Sequence, residues 1–309
     1  MYTPIVRRLA RATLALSLLS ALPCAFAQTA IDETRTLSAD ARVSISNIKG
    51  SIRVVGGEGD TLRLRGQLGE NAQLKLSEED PQALSIEIEY PSSSGWGWGM
   101  SSGGDTDLEI ELPSDVRLDI ESVSAGVDVR GINGRSLKIS AVSGDIELRD
   151  SAPQQLELET VSGAQRISAG AAELDVSSVS GAITIEASAA GSLRAEAVSG
   201  GIDIRLLQAI DELRVETVSG EVRASGGPSA SGLVRIETLS GALRLELPAS
   251  TSARIEADSF SGRIRSPVGE VEREEYGPGS SLDATLGEGA ARIRLETFSG
   301  AIDLSVQGR

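Results

Sequence analysis

No histidine occurs among the 309 residues, and a single cysteine, Cys24, is the entire thiol content. Without histidine there is no Ser-His-Asp triad, no Cys-His pair, no imidazole metal ligand and no unperturbed side chain titrating near neutrality. Aromatic residues make up 3% of the chain, too few for base stacking or a large ligand pocket. Basic side chains are outnumbered, 29 against 45 acidic, for a net charge of −16. That balance argues against a nucleic-acid partner, because phosphate neutralisation needs clustered Lys and Arg. Long apolar runs are missing too. The run from Leu14 to Leu22 falls short of the roughly 20 residues of a permanent membrane helix. What remains is 40% hydrophobic residues, enough for a core built from Val, Ile, Leu and Ala.

The first 27 residues read as an address. Arg7, Arg8 and Arg11 precede the apolar run, and Ala25-Phe26-Ala27 offers small residues for cleavage before Gln28. Lipidation at Cys24 is the rival reading, opposed by Pro23 where a small residue is wanted. Cleavage takes three arginines and no acid, deepening the net charge from −16 to −19, and removes the only thiol. The mature chain is then expected in the periplasm or released, held together without disulfides. Residues 28–39 read as a linker.

A short signature then recurs. Val123-Ser124 is followed by Val142-Ser143-Gly144, Val161-Ser162-Gly163, Val179-Ser180-Gly181, Val198-Ser199-Gly200 and Val218-Ser219-Gly220. Leu239-Ser240-Gly241, Phe260-Ser261-Gly262 and Phe298-Ser299-Gly300 continue it. The serines stand 19, 19, 18, 19, 20, 21, 21 and 38 residues apart, the last gap being twice 19. Apolar residues at spacing two flank each signature, such as Leu213 and Val215 before and Val222 after, which marks strands. The two flanks are out of phase. A corner at each Val-Ser step must re-aim the chain, and this parity assigns Val and Gly inward with Ser near the bend. Gly there permits close backbone packing or an unusual dihedral.

Units this short cannot close a core alone, but stacked they can. The fold class expected is all-β, a parallel β-solenoid (β-helix) of ~19-residue coils over residues 122–309. A β-propeller is the alternative, since two units make a blade-sized period. On the outward face Arg194, Arg214, Arg235, Arg254 and Arg294 each precede a Glu by two residues, so adjacent Arg and Glu stripes are expected. Residues 40–121 read as degenerate coils or a β-meander capping the stack, with Ile48-Lys49-Gly50 as an imperfect signature. Residues 266–290 form an irregular excursion, and the strand from Ala301 to Val306 is expected to close the array.

Motifs that carry chemistry are weak. Gly99-Met100-Ser101-Ser102-Gly103 has nucleophile-elbow spacing but no histidine to act as base. Ser46-Asn47-Ile48-Lys49 has Ser-x-x-Lys spacing without companion motifs, and Gly56-Gly57-Glu58-Gly59-Asp60 fits a turn better than a calcium loop. Asp105 and Asp107 have no following Glu as a calcium loop needs. No catalytic residue, metal ligand or cofactor site is expected. Both tryptophans, Trp96 and Trp98, lie in a Gly/Ser loop over 92–104 and are candidate partner contacts.

The recurring Thr-Val-Ser-Gly-Asp/Glu-Ile pattern, seen at Glu216 to Val222 and Val142 to Ile146, resembles a bacterial family of adhesin-like proteins. These are built of a β-strand repeat domain of unknown function. The strand ending near Tyr90-Pro91, the run Asp107 to Pro113 and the late Gly-rich turn over 286–295 are similar too. The resemblance implies an adhesin-like architecture without catalytic residues; with the leader, the expectation is an exported, non-catalytic binding or scaffold protein of the cell envelope, its partner an unknown protein or glycan. Two alternatives stand beside it: a periplasmic partner or sensor in envelope-stress signalling, and a β-helix enzyme acting on polysaccharide through Asp and Glu.

Overall fold

The computed structural model describes residues 29–80, 82–90, 104–275 and 277–308. The leader with Cys24, the Trp96/Trp98 loop and the Gly99–Gly103 motif lie outside the described residues. Among the described residues there are 25 strands and no helix.

Each regular unit is one rung of a parallel β-solenoid. Its first strand lies in one sheet, the chain turns at the signature, and its second strand lies in a second sheet. Rungs stack in register: Leu137 lies beside Leu118 and Leu156, and Ile146 beside Val127 and Gln165. Alternation places Leu213, Val215, Val222 and Ala224 inside while Arg214, Glu216 and Arg223 face out. The inward columns merge into one continuous apolar core from Ile31 to Val306. Each fully buried Ile, Leu or Val contributes about 1.5–3 kcal/mol, and with no disulfide in the described residues these columns hold the stack together.

The structure corrects the inward placement of Val. The buried run Leu213, Val215 continues to Thr217, then Val218 and Ser219 are both exposed, and Gly220 resumes the buried face. The same order, one buried polar or small residue, two exposed, one buried, recurs at Thr160-Val161-Ser162-Gly163 and Ser178-Val179-Ser180-Gly181. The phase flip is made by two consecutive outward residues, and the Val is the first of them. The Ser hydroxyls are consumed in the corner: Ser143, Ser162 and Ser180 donate to the carbonyls of Val123, Val142 and Val161 on the rung before, at 3.1, 3.3 and 3.1 Å.

The glycines serve close approach, not an unusual dihedral. None from Gly144 to Gly241 in the signature has a positive φ. A Cβ on Gly200 would stand 1.9 Å from the Gly181 carbonyl oxygen, and one on Gly220 the same distance from that of Gly200.

The ends depart from sequence order. Residues 42–57 make a rung directly beneath 117–130, and Ala83–Glu89 with Thr106–Pro113 make the rung beyond it. Antiparallel strands Gln73–Asp80, Thr61–Leu68 and Thr29–Thr36 finish that end. The segment read as a linker therefore carries a strand, Thr29–Thr36, anchored by buried Ile31; a single inward apolar residue left no periodic signal. At the other end, Ile302–Val306 does not close the array. It is inserted between Leu243–Leu247 and Ile264–Arg265, just as Ala291–Thr297 lies between 233–238 and Ala253–Ser259. The excursion returns as Ser280–Leu286, antiparallel to Ala253–Ser259. One consequence is a register change: Arg254 lies beside Arg292 and Glu256 beside Arg294, so Arg254 and Glu256 are not members of the stripes expected for them.

Gly200→Ala should destabilise by about 2–3 kcal/mol through overpacking against backbone. Gly57→Ala, whose Cβ would meet only the Leu112 carbonyl at 4.0 Å, should stay within about 0.5 kcal/mol; equal denaturation midpoints for the two variants would reject the close-approach role. Removing residues 299–309 should expose 239–298 to limited proteolysis as a block, because one strand of a rung is lost from inside the stack. A truncated protein melting within about 4 °C of the full chain would show that the strand is a dispensable cap.

Candidate functional site

The outward corner residues align from rung to rung. In stacking order they are Val123, Val142, Val161, Val179, Val198, Val218, Leu239, Phe298 and Phe260, bonded through their own backbone amides to the rung below. All nine side chains are large, apolar and 45% to 59% exposed. At one end the Phe260 and Phe298 rings stack with centroids 4.7 Å apart and planes 8° from parallel. Apolar side chains scattered singly over a surface need no explanation, but an unbroken column of nine is a patch of the kind that marks an interaction surface.

One column inward on the same sheet face runs a row of acids and serines. Glu121, Ser140, Glu159, Ser177, Glu196, Glu216, Glu237, Glu296 and Asp258 occupy equivalent positions on successive rungs, with no base among them. Between this row and the apolar ridge lies a groove of about 910 Å³. Its floor is the line of small residues Ser178, Ala197, Thr217, Thr238, Thr297 and Ser259, and Glu274 with 279–281 closes one end. Among the described residues six carboxylates line it, Glu196, Glu216, Glu237, Asp258, Glu274 and Glu296, and no lysine or arginine does.

The next column away from the groove holds Arg194, Arg214, Arg235 and Arg294. Arg194 Nε donates to Glu196 Oε1 at 2.6 Å, and Arg235 and Arg294 bond Glu237 and Glu296 on the same strands. These hydrogen bonds, then the carboxylate charge, hold the Arg194 and Arg294 guanidiniums above their ordinary value. Arg214 turns away to Glu212 at 3.3 Å. The pairing of these four arginines therefore runs along their own strands. On the opposite sheet the signs mix between rungs instead, as in Arg205–Glu186 at 3.6 Å and Arg265–Asp303 at 3.0 Å.

The corner serines and glycines read as structural repeat positions align in two parallel ladders at the corner, the serines exposed and the glycines on its inner side, with Ser199 and Ser219 also bonded to carbonyls of the rung below. Parity alone places the Val, Leu and Phe beside them in the core, whereas the structure exposes them and so forms the groove. The available signal was that Phe260 and Phe298, two of three phenylalanines in the chain, occupy the Val position of the signature.

A Toastrack DUF4097 pattern matches residues 41–305, nearly the whole of the stack. The chain belongs to this family. Among solved structures, this Toastrack chain is similar to a "putative adhesin" from Parabacteroides distasonis, at 10% identity over 90% of this chain and 97% of the other, with a TM-score of 0.49. A "putative adhesin" from Bacteroides fragilis matches at 12% identity, covering 90% and 98%, TM-score 0.38. A "putative lipid binding protein" from Parabacteroides distasonis matches at 13%, covering 89% and 96%, TM-score 0.42. No curated protein sequence matches the chain.

An exposed apolar ridge should be detectable by a neutral dye. Nile red fluorescence is expected to rise on adding the folded Toastrack protein, and to rise at most half as much with Leu239→Ser/Phe298→Ser. Equal enhancement by wild type and variant would show that the dye, and the accessible apolar surface, lie elsewhere.

Proposed function

We propose that the protein is an exported, non-catalytic β-solenoid that acts as an adhesin-like binding or scaffold protein of the cell envelope, using the corner edge as its contact surface. The observation that carries this reading is the unbroken exposed column from Val123 to Phe260. A side chain at every corner could have been polar at no cost to the core, yet each is Val, Leu or Phe. The polar groups of the groove support binding better than turnover. Acid-base catalysis by carboxylates works through two groups set in different environments. Here Glu196, Glu216, Glu237 and Glu296 are half-buried alike from rung to rung, none set apart by deep burial, and the corner serines Ser180, Ser199 and Ser219 donate to backbone carbonyls. Export is supported by the Arg-rich start, the apolar run and the Ala25-Phe26-Ala27 site. Trp96 and Trp98 are proposed as a second, auxiliary contact.

The experiment is expression with the leader intact, fractionation, and presentation of the purified protein to envelope extract. Expected results are a periplasmic or released product starting at Gln28 and retention of an envelope component without release of oligosaccharide. Retention should be lost in Phe260→Ser/Phe298→Ser at unchanged far-UV circular dichroism. Steady release of glycan products, or a full-length chain in the cytoplasm, would overturn the proposal.

A further inference from the structure

We infer that the groove takes an α-helical segment of a protein partner, bearing an apolar stripe flanked by lysine or arginine. The inference rests on the corner edge being the contact surface, and it names what lies there.

The backbone decides between strand and helix. An added strand needs free amides and carbonyls, and the corner has spent its own: Val198 N–H donates to Ser178 O at 3.1 Å and Ser199 N–H to Val179 O at 2.9 Å. Recognition must therefore go through side chains. Rungs repeat every ~4.8 Å, and a helix presents one turn every ~5.4 Å. One apolar residue per turn thus meets one ridge residue per rung, and the mismatch across four rungs is only about 2 Å. Same-face residues of an extended peptide are ~6.6–6.8 Å apart and fall out of step by the second rung. Phe298 stacked on Phe260 makes a flat aromatic anchor at one end of that track.

Charge decides between partners. The wall facing the ridge carries carboxylates and no base. Glu196, Glu237 and Glu296 are engaged by arginines through Oε1 only, and among the described residues Glu216 and Asp258 make no ion pair. A second copy of this chain would bring its own acid row against this one, and a nucleic acid or an anionic lipid surface would meet the same repulsion. Lys or Arg beside the apolar stripe is the complement, setting association rate and orientation while the ridge supplies apolar contact.

The test uses labelled peptides of about 18 residues and fluorescence anisotropy against the whole mature protein. One peptide has Leu at helical spacing with Lys elsewhere; a second has the same composition in strict alternation; a third replaces Lys by Glu. The helical Leu/Lys peptide should bind at least about tenfold tighter than the other two. Glu216→Gln/Glu237→Gln should weaken it about tenfold and flatten its salt dependence, and Leu239→Ser/Phe298→Ser should weaken it similarly. Glu186→Gln/Asp203→Asn, an equal charge change on the opposite sheet, should alter it less than about twofold. Equal binding of the alternating peptide, or equal effects of the two neutralised pairs, overturns the inference, because attraction to an acidic protein would then account for everything. The same variants in the envelope-retention assay separate the two levels. Retention lost in the ridge variant but kept in Glu216→Gln/Glu237→Gln discards the cationic helix and keeps the contact edge. Retention kept in both discards both.

Discussion

A carbonyl oxygen seated where a side chain would begin is the contact on which this stack depends. From Gly144 onward the glycine at each corner leaves room for the backbone of the rung before it, and the next glycine does the same one rung on. That contact lets both sheets keep parallel register through a turn made within two residues. Everything else is arranged around it. The serines after the six exposed valines tie their hydroxyls to the rung below, and a buried Thr, Ser or Ala before each apolar residue fills the inside of the bend. Thr160 Oγ1 donates to Gly163 O at 3.1 Å, and Gly220 N–H donates to Thr217 Oγ1 at 3.1 Å.

The same turn creates the surface that the protein presents. Two successive outward residues at every corner cannot both be buried, so whatever occupies the first stands proud of the sheet. Because rungs stack in register, a choice made at one corner is multiplied along the edge: valine repeated becomes a ridge, and glutamate two residues earlier becomes a wall. A groove of this kind does not require converging loops. It requires only that a repeat keep its residue types while the backbone keeps its register.

Order within the stack follows a different constraint. Parallel sheets end in edges with unpaired amides, and this chain finishes both ends by leaving sequence order. Thr61–Leu68 and Ser280–Leu286 run antiparallel across the outer rungs, and Ile302–Val306 is clasped on both sides. The displaced terminal rung also moves Glu256 beside Arg294, where opposite charges meet, instead of placing Arg254 there.

The rung is written in residue spacing alone. Spacing of two around each signature, the phase flip across it and the ~19-residue period are local properties, and local backbone geometry answers to them directly. That spacing also determined that a corner had to exist, since no straight strand keeps Leu213, Val215 and Val222 on one side. Which residue of the corner faces in is set by packing between rungs. Parity constrains two strands but is silent about the two residues between them, and Val218 fits either side on composition alone. Which rung lies beside which was likewise invisible, because identical periods make every rung an acceptable neighbour for every other. Hence the strand at Thr29–Thr36, the inserted terminal rung and the shifted place of Arg254 emerged only from the packed fold. The groove belongs to the same class: its ridge and its wall are separate columns in sequence, brought into one surface by stacking.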